Sequence, residues 1–391
     1  MNRARVLFLV ASLAVVVPIA TGGLSRAIAR DEPKDDSLYK NLSIFTEVLQ
    51  LVRQAYVDER PLDSLMAGAF EGTTDALGPF ATYIPKEEVE AYAKSRQIGD
   101  GLSGMTVAKE RGITYVASVT AGSPGDEAGI EAGDVLSKLG GRSTEAMGLW
   151  EVQKILADAS LESLDVQVLR QGQPHDKVVA LGPFVAPTAA VEIVDEAPVL
   201  RLQSFSRETP DQVAKLLSEL TRDGTSRLVV DLRGGSSGES AIGYEVAKLF
   251  VDGELGQLIG REGAIASFAG DSAPLWHGEL VVLVDQTARG PAEVLAVVLR
   301  DRLEATLVGE PTFGHAGREK LTTLSNGAQI LLTDAFYSGP SGEPLVDGLT
   351  PDVEVEEERQ ASDASGEQDR DPILERGIEV LLNGAEERKA A

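Results

Sequence analysis

Apolar residues recur at helical spacing near the start of the chain and in strand-like runs further on. The run LSIFTEVLQLVRQAYVDE has the spacing of an amphipathic helix, and PLDSLMAGAFEGTTDAL and PKEEVEAYAKS predict two more helices. Between Gly99 and Gly182, short alternating runs separated by glycine turns predict strands around one longer helix, GLWEVQKILAD. From Pro183 onward, apolar strands such as RLVVD and LVVLVD alternate with helices. This alternation predicts an α/β core whose helices cover a largely buried sheet.

These changes of pattern divide the chain into consecutive predicted segments. The predicted boundaries are an export segment at 1–30, an N-terminal helical region at 31–97, a small β-rich module at 98–182, an α/β core at 183–355, an acidic linker at 356–370 and a C-terminal helix at 371–391. The linker is predicted because its acidic, serine-containing sequence has no apolar pattern and favours solvation.

The first residues have the charge and hydropathy of an export signal. Two arginines, Arg3 and Arg5, precede an apolar run at 6–24, and Ala27-Ile28-Ala29 offers a small-residue cleavage pattern. The full run approaches the length of a membrane span, so cleavage of the segment and anchoring by it both stay open. The pattern predicts an exported protein whose soluble body lies in the periplasm or another extracytoplasmic space.

Charge and composition exclude several classes of function. The formal net charge is −26, and a chain this acidic is repelled by nucleic acids and by anionic membrane surfaces. There is no cysteine, which excludes disulfides, thiolate metal sites and a cysteine nucleophile. The three histidines, His175, His277 and His315, lie far apart and lack the spacing of metal ligands. The sequence therefore predicts no metal site and no cofactor.

The β-rich module resembles a PDZ domain in the sequence SPGDEAGIEAGDVL and in the later GLWEVQKIL. In such a domain the C-terminal tail of a partner adds as a strand beside a helix, and amides of a turn bind its carboxylate. The resemblance places that turn in GLSGM, where glycines leave room for converging amides. The residues implied for tail binding are Gly101, Leu102, Ser103, Gly104 and Met105 in the turn, and Leu149, Val152 and Ile155 on the helix. Core packing is the alternative for each helix side chain, and periodicity does not decide between the two.

The remaining motifs resemble those of the C-terminal processing peptidases, also called tail-specific proteases. The matching stretches, in the family's order, are FTEVLQLVRQAYVDE, LGPFATYIP, RLVVDLRGG, VGEPTFG, LTDAFYSGPSG, GLTPDVEV and DPILERGIEVLL. The resemblance implies an α/β peptidase core of that family's ClpP/crotonase-like type, with a PDZ domain inserted after an N-terminal helical region. It also implies cleavage of peptides by a serine nucleophile and a lysine general base, whose neutral amine takes the serine proton.

The sequence departs from the family at the positions that perform the reaction. On the family's N-x-G-S-A-S-A-S-E motif, the nucleophile position is Gly290. The family's F-G-K-G places the general base at His315, and the assisting glutamine four residues later falls on Glu319. Arg289 and Pro291 replace the small residues beside the nucleophile. A glycine offers no side-chain atom to deprotonate, the arginine adds bulk and charge, and the proline removes a backbone donor.

The turn that supports the family's oxyanion site is altered as well. The family's R-G-N-P-G-G reads RGGSSG here, so the Asn-Pro pair is absent and Gly234 and Gly235 mark the oxyanion-turn region. Together the departures predict a catalytically inactive relative, a pseudopeptidase. Its predicted role is to bind protein C-terminal tails, or to scaffold or modulate an envelope protease complex.

Two other interpretations stay open. In the first, the protein is an active serine-type endopeptidase with relocated groups, and an imidazole serves as its base. The residues for that mechanism are Ser236, Ser237 or Thr287 as nucleophile, His315 as base, and Glu319 or Asp285 as the group that orients the imidazole. Against it, hydroxyl side chains in turns more often bond to the backbone. In the second, the chain is a folded relative without a partner.

Overall fold

The computed structural model describes residues 36–98, 101–184, 189–355 and 371–390. The predicted export segment and the predicted acidic linker lie outside these residues. The chain forms two compact units, which divide between Met66 and Ala67. Among the described residues, no helix has both the length and the apolar character needed to cross a membrane.

The N-terminal region contains the helices that the apolar spacing predicts. The first two are α1 (Asp36–Ala55) and α2 (Leu62–Asp75). A short strand, β1 (Thr82–Ile84), follows, then a 3₁₀ turn at Lys86–Glu88 and α3 (Val89–Ile98). All three side chains of β1 are buried, because this strand joins a sheet of the core.

The β-rich module is an antiparallel sheet with two helices. Its elements are β2 (Met105–Glu110), β3 (Ile113–Val119), α4 (Pro124–Glu127), β4 (Val135–Leu139), β5 (Arg142–Ser143), α5 (Leu149–Leu156), β6 (Leu164–Arg170) and β7 (Gln173–Val179). The strand order is β2-β3-β4-β6-β7, with β5 paired to β4, so β2 is an edge strand. Ser123 caps α4 by accepting a hydrogen bond from the Asp126 N–H, so the sequence SPGDE contains the signal for its own helix start.

The α/β core follows the predicted alternation of strands and helices. Its strands are β8 (Ala189–Val194), β9 (Ala197–Leu202), β10 (Ser204–Phe205), β11 (Arg227–Asp231), β12 (Ser237–Gly238), β13 (Gly253–Gly260), β14 (Gly263–Gly270), β15 (Glu279–Val284), β16 (Thr306–Gly309), β17 (Gly317–Thr323), β18 (Gln329–Tyr337) and β19 (Val353–Glu354). Its helices are α6 (Thr209–Arg222), α7 (Ala241–Ala247), α8 (Pro291–Leu303) and α9 (Pro372–Ala390).

A six-stranded sheet in the order β19-β16-β15-β11-β9-β8 forms the centre of the core. Neighbouring strands are parallel except for β8, which pairs with β9 in the antiparallel sense. The helix α9 covers one face with Ile373, Leu374 and Ile378, and the other face packs against α7 and α8. Burial on both faces explains why these strands are continuous apolar runs in the sequence.

A second sheet joins the strand β1 to strands of the core. Its order is β1-β18-β13-β14, and β17 also pairs with β18. The apolar pattern did not predict β8, the β13–β14 hairpin or β17. The strand β14 shows why, since its sequence GAIASFAG consists mostly of small residues and its side chains are largely exposed. Such a strand has no alternation of apolar and polar positions, and its pairing partner alone defines it.

Candidate functional site

Three turns meet at one edge of the central sheet. The strands β11, β15 and β16 are parallel neighbours, so their carboxyl ends lie side by side. The turns at 232–236, 285–290 and 310–316 follow these ends. Carboxyl ends of parallel strands are where open α/β sheets form their binding and catalytic sites. The positions implied for the nucleophile, the base and the oxyanion turn all lie in these three turns.

The Asp285 side chain shapes the turn that leads from β15 to α8. Its Oδ1 accepts hydrogen bonds from the Thr287 N–H at 3.0 Å, the Thr287 hydroxyl at 2.6 Å and the Ala288 N–H at 3.1 Å. Burial raises the pKa of Asp285, against the opposing effect of the bonds from Thr287. Asp285 is therefore a structural residue of the turn, and three donors of the turn share its Oδ1.

Gly290 lies at the tip of this turn and caps α8. Its φ of 57° and ψ of −106° lie in a region that residues with a Cβ adopt only with strain. Its N–H donates to Glu293 Oε2 at 2.9 Å, and the following Pro291 has no N–H. A Cβ added at Gly290 would lie 3.0 Å from Ser240 Oγ. The turn therefore has the strand-turn-helix shape of a nucleophile site without a reactive side chain.

A buried carboxylate joins this turn to the next one. Glu293 is 0% exposed, and its Oε1 accepts hydrogen bonds from the Gly314 N–H at 2.8 Å and the Thr312 hydroxyl at 2.5 Å. Burial raises the pKa of Glu293 to about 7. Because Gly314 directly precedes His315, the Glu293 side chain brings the turn of Gly290 and the turn of His315 together.

His315 lies in a largely enclosed, aromatic position. Its ring centroid is 5.3 Å from that of Phe80 and 5.2 Å from that of Phe336, and its Nε2 lies 2.9 Å from the Thr333 hydroxyl. Burial, and then the positive charge of Arg289, lower the pKa of His315 to about 4. The imidazole is therefore neutral near neutral pH, and it is a much weaker proton acceptor than an ordinary histidine.

Arg289 places a fixed positive charge beside Gly290. Its guanidinium carbon lies 4.2 Å from the centroid of the Phe80 ring, which is the geometry of a cation–π interaction. Phe80 itself is 4% exposed. The Arg289 Nε is buried, and among the described residues it has no hydrogen-bond acceptor. The turn at 285–290, which we call the nucleophile turn, and the turn that contains His315 thus both contact the Phe80 ring.

The β2–β3 hairpin of the β-rich module lies against the same place. A small apolar cluster there consists of Phe80, Ala108 and Ala117, with Tyr115 and Phe313 packed against it. The Lys109 N–H on β2 donates to the Pro79 carbonyl at 2.9 Å. The hydroxyls of Ser118 on β3 and Ser236 in the core lie 2.5 Å apart. The module therefore contacts the site directly in this structure.

The turn predicted to bind a tail carboxylate is closely packed. The Gly101 and Leu102 carbonyls accept hydrogen bonds from backbone N–H groups of the segment that leaves the module. Ser103 is buried, and its hydroxyl accepts a hydrogen bond from the Met105 N–H at 3.2 Å. Gly104 has a φ of 72°, and a Cβ there would lie only 2.0 Å from a side-chain carbon of the neighbouring helix cap. The chain geometry at this turn therefore requires glycine.

The three helix positions predicted for the groove differ in burial. Leu149 and Val152 belong to the packed core of the module. Ile155 packs against the same core and keeps part of its surface exposed. Core packing is therefore the better interpretation of Leu149 and Val152, and Ile155 is the one of the three with an exposed part of its surface.

Comparison with known proteins identifies both modules. Residues 197–355 match the model of peptidase family S41, and residues 115–170 match the model of a PDZ domain. A carboxyl-terminal-processing protease of Picosynechococcus sp. is 28% identical over 390 residues, covering 92% of this chain and 92% of that protein. The chain is a PDZ-containing homologue of the C-terminal processing peptidases, with an S41-family core.

Two further proteins extend this comparison. The carboxy-terminal processing protease CtpA of Bacillus subtilis is 23% identical over 367 residues, covering 91% of this chain and 78% of that protein. The solved structure of a photosystem II D1 C-terminal processing protease superposes with a TM-score of 0.67 at 22% identity, covering 87% of this chain and 96% of that one. The matches confirm the predicted fold class, an S41-type α/β core with a PDZ domain.

The N–H groups of the oxyanion turn, at Gly234 and Gly235, donate hydrogen bonds within the protein. The Gly234 N–H donates to the Thr287 hydroxyl at 2.7 Å, and the Gly235 N–H donates to the Leu232 carbonyl at 3.0 Å. A Cβ at Gly235 would lie 2.8 Å from the same Leu232 carbonyl oxygen, so the turn is tightly folded. Neither amide is a free donor for a developing oxyanion in this conformation.

Two of the three hydroxyls of the alternative mechanism have structural partners. Ser236 pairs with the PDZ domain through Ser118, and the Thr287 hydroxyl both donates to Asp285 and accepts from the oxyanion turn. Ser237 lies on β12, which pairs with β10. Glu319 is exposed on β17, and no described hydrogen bond or ion pair joins it to His315. The structure therefore does not assemble these residues around the imidazole.

Sequence reasoning missed two residues at the site. Ser240 precedes α7, is 9% exposed and lies beside Gly290, although nothing in its local sequence distinguishes it from an ordinary helix cap. Phe80 belongs to the LGPFATYIP motif, but its contact with Arg289 joins parts of the chain far apart in sequence. Among the described residues, no group of three or more side chains could hold a metal ion.

Proposed function

We propose that this C-terminal processing peptidase homologue binds protein tails without cleaving them. The observation that carries the proposal is the turn at Gly290, which has the backbone shape of a nucleophile site and no side chain. Arg289 and Pro291 occupy the flanks where the resemblance to active members implies small residues. Active members of the family are expected to recognise a tail and then hydrolyse it. In this protein, we propose, only the recognition remains.

Losing the nucleophile removes most of the rate of a serine peptidase. In a well-studied enzyme of this kind, its removal lowers turnover about a million-fold. The remaining oxyanion site and substrate binding recover roughly a thousand- to ten-thousand-fold over water. Here the amides of Gly234 and Gly235 donate inside the protein, so that residual contribution is weakened too.

His315 does not replace the missing chemistry. Its pKa of about 4 makes it a weak base, and its Nε2 lies within hydrogen-bond distance of Thr333. The fixed charge of Arg289 opposes protonation of the imidazole, which a general base must undergo during the reaction. Both effects weigh against general-base catalysis by His315.

The PDZ domain supports the binding half of the proposal. The strand β2 is an edge strand that contacts α5, and a tail can add to such an edge as a further strand. The turn Gly101–Met105 leads into β2, where the carboxylate of an added tail would end, and Ile155 on α5 is partly exposed. The proposed partners are tails of exported or envelope proteins, in keeping with the signal-like pattern of residues 1–30.

The test uses the full-length protein and a set of unstructured peptides, each made with a free C-terminal carboxylate and as the C-terminal amide. Calorimetry is expected to show binding of the free acids and not of the amides, and Ile155→Asp is expected to weaken it. Mass spectrometry of the same mixtures is expected to show intact peptides. Failure to bind any peptide would refute tail capture, and cleavage by the wild-type protein would refute the pseudopeptidase assignment.

A reconstructed site serves as the positive control for cleavage. It combines Arg289→Ala, Gly290→Ser, Pro291→Ala and His315→Lys. If this variant cleaves a peptide that the wild-type protein binds intact, the four substitutions account for the inactivity.

Ser240 gives the alternative mechanism a specific candidate. Its Oγ lies 3.0 Å from the position of a Cβ on Gly290, closer to the nucleophile position than sequence reasoning could show. If the wild-type protein does hydrolyse peptides, loss of activity in both Ser240→Ala and His315→Ala would identify a relocated nucleophile and its base. Loss in His315→Ala alone would direct attention to Ser236, Ser237 or Thr287.

A further inference from the structure

Arg289 is a partly buried cation without an anion. Its Nε has no acceptor, and no carboxylate lies within ion-pair distance of its guanidinium among the residues that the structure describes. Arg233, at the same edge of the sheet, instead pairs with Asp231 and Asp371. A guanidinium is charged throughout the physiological pH range, and enclosing an unpaired charge is unfavourable. The buried Nε–H of Arg289 therefore has no acceptor among the described residues.

The groups nearest to Arg289, which are Phe80 and Glu293, do not accept a hydrogen bond from its guanidinium. The Phe80 ring stabilises the charge from one face, but stacking does not use the N–H groups in the plane of the guanidinium. Glu293 is the neighbouring carboxylate whose pKa responds to the charge of Arg289. Both of its oxygens already accept hydrogen bonds from donors of the two turns, and it forms no ion pair with Arg289.

Ser240 supplies a second donor at the same place. Its side chain is 9% exposed and makes no capping hydrogen bond to α7, and it has no other partner among the described residues. Apart from chain neighbours, its Oγ is the one heavy atom within 4 Å of the Cβ position at Gly290. Arg289 and Ser240 therefore both adjoin Gly290, one as its neighbour in the chain and the other as its neighbour in space.

We propose that Arg289 and Ser240 bind a peptide carboxylate at the Gly290 turn. This inference rests on the proposed function, because a tail brought by the PDZ domain supplies the carboxylate. A carboxylate matches the planar donors of a guanidinium at two points, and its remaining lone pairs accept a bond from a hydroxyl. The missing Gly290 side chain leaves room for it. The carboxylate has two possible sources. If the terminus of the tail occupies the PDZ turn, an acidic side chain of the same tail supplies the carboxylate. Otherwise the terminus of a second tail supplies it.

The experiment compares four acetylated pentapeptides of alanine and valine with the full-length protein. One has a free carboxylate, one is the amide, and two are the same pair with a central glutamate. Binding is measured by calorimetry for the wild type, Arg289→Met and Arg300→Met. Arg300 lies on the same helix and pairs with Asp301, so its substitution removes an equal charge away from the site. Loss of a charge-assisted hydrogen bond is expected to weaken binding in Arg289→Met about tenfold or more.

The peptides separate the two sources of the carboxylate. Arg289-dependent binding of the glutamate amide identifies a side-chain carboxylate, and dependence confined to the free acids identifies a chain terminus. Either result supports the inference, provided that Arg300→Met binds like the wild type. Equal binding by Arg289→Met and the wild type overturns the inference, and the proposed function survives if Ile155→Asp still weakens binding. No binding by the wild type overturns both.

Two further measurements do not depend on the folding of Arg289→Met. Ser240→Ala removes one hydroxyl and is expected to weaken carboxylate binding several-fold, in line with one lost hydrogen bond. A peptide with a photoreactive residue beside its carboxylate is expected to label the wild-type protein near Phe80 and Arg289. Labelling found solely in the PDZ domain, together with unchanged affinity in Ser240→Ala, contradicts the inference.

Discussion

Glu293 joins two turns that are distant in the sequence, and it does so without contact with water. Its two oxygens accept hydrogen bonds from the N–H groups of Gly290 and Gly314 and from the Thr312 hydroxyl. A carboxylate can serve three donors in this way because both of its oxygens are acceptors. A carboxamide of the same size would direct its own N–H groups at one of these donors. The geometry of the Gly290 turn therefore depends on a single buried side chain.

Replacing Glu293 by glutamine is expected to remove one contribution to the pH dependence of stability. Burial raises the pKa of Glu293 to about 7 in the folded protein, above the value of roughly 4.3 for an unfolded glutamate. The folded state therefore binds this proton more tightly, and the Glu293 contribution to stability falls by roughly 4 kcal/mol in total as the pH rises from about 4.3 to about 7. Urea unfolding of the wild type and of Glu293→Gln at pH 5 and pH 8 measures most of this contribution, as the difference between the two proteins.

In Glu293→Gln this loss of stability with rising pH is expected to disappear. Glu262→Gln, at an exposed hairpin turn, serves as the control and is expected to behave like the wild type. An identical pH dependence in Glu293→Gln and the wild type would show that Glu293 does not titrate in this range. His315, with its lowered pKa, contributes in the opposite sense in all three proteins and cancels in the comparison.

The β2–β3 hairpin and the strand β1 show how elements from separate parts of the chain enclose the site. Phe80 lies just before β1, and it contacts the hairpin on one side and Arg289 on the other. The Pro79 carbonyl accepts a hydrogen bond from Lys109 on β2. One aromatic ring therefore links the N-terminal region, the PDZ domain and the nucleophile turn.

Phe80→Ala is expected to loosen the hairpin as well as to lower stability. Removing a buried phenylalanine typically lowers the free energy of unfolding by about 3–5 kcal/mol. Amide hydrogen exchange in β2 and β3 is expected to accelerate, because the hairpin loses its principal apolar contact with the site. Phe268→Ala, which removes a ring stacked on Tyr244 at 4.2 Å, is the matched control. Equal exchange in the hairpin of both variants would exclude a specific role for Phe80.

Two ion pairs connect the central sheet of the core to its last helix. Arg233 follows β11, and its guanidinium pairs with Asp231 at 2.8 Å and with Asp371 at 2.7 Å. Asp371 directly precedes α9, whose apolar residues cover one face of the sheet. The ion pairs therefore fix the start of this helix at the same edge where the three turns of the site meet.

Arg233→Met is expected to destabilise the whole molecule. Breaking a buried ion pair from one side leaves carboxylates without a partner, which lowers the free energy of unfolding by about 3–5 kcal/mol. The double variant with Asp371→Asn is expected to lose less than the sum of the two single variants. Arg300→Met breaks a more exposed pair and is expected to change stability by at most about 1 kcal/mol. Additive losses in the double variant would show that Arg233 and Asp371 act independently.

The sequence was sufficient to predict the elements whose own residues define them. Apolar spacing predicted the N-terminal helices, the β2–β3 hairpin and the strands β9, β11, β15 and β16 of the central sheet, because each of these patterns lies within one short segment. It did not predict β14 or β17, whose pairing with strands elsewhere in the chain defines them. The same limit applied to the groove helix, where periodicity could not separate the buried Val152 from the partly exposed Ile155.

By itself, the sequence determined the family, the order of the modules and the glycine at position 290, because motif order and residue identity need no neighbours in space. Tertiary structure alone decided what surrounds that glycine. It placed Phe80 under Arg289, Ser240 beside Gly290 and Glu293 between two turns, and it assigned the oxyanion-turn amides to partners inside the protein. These contacts join residues far apart in the chain, and only the packing of a complete core brings such residues together.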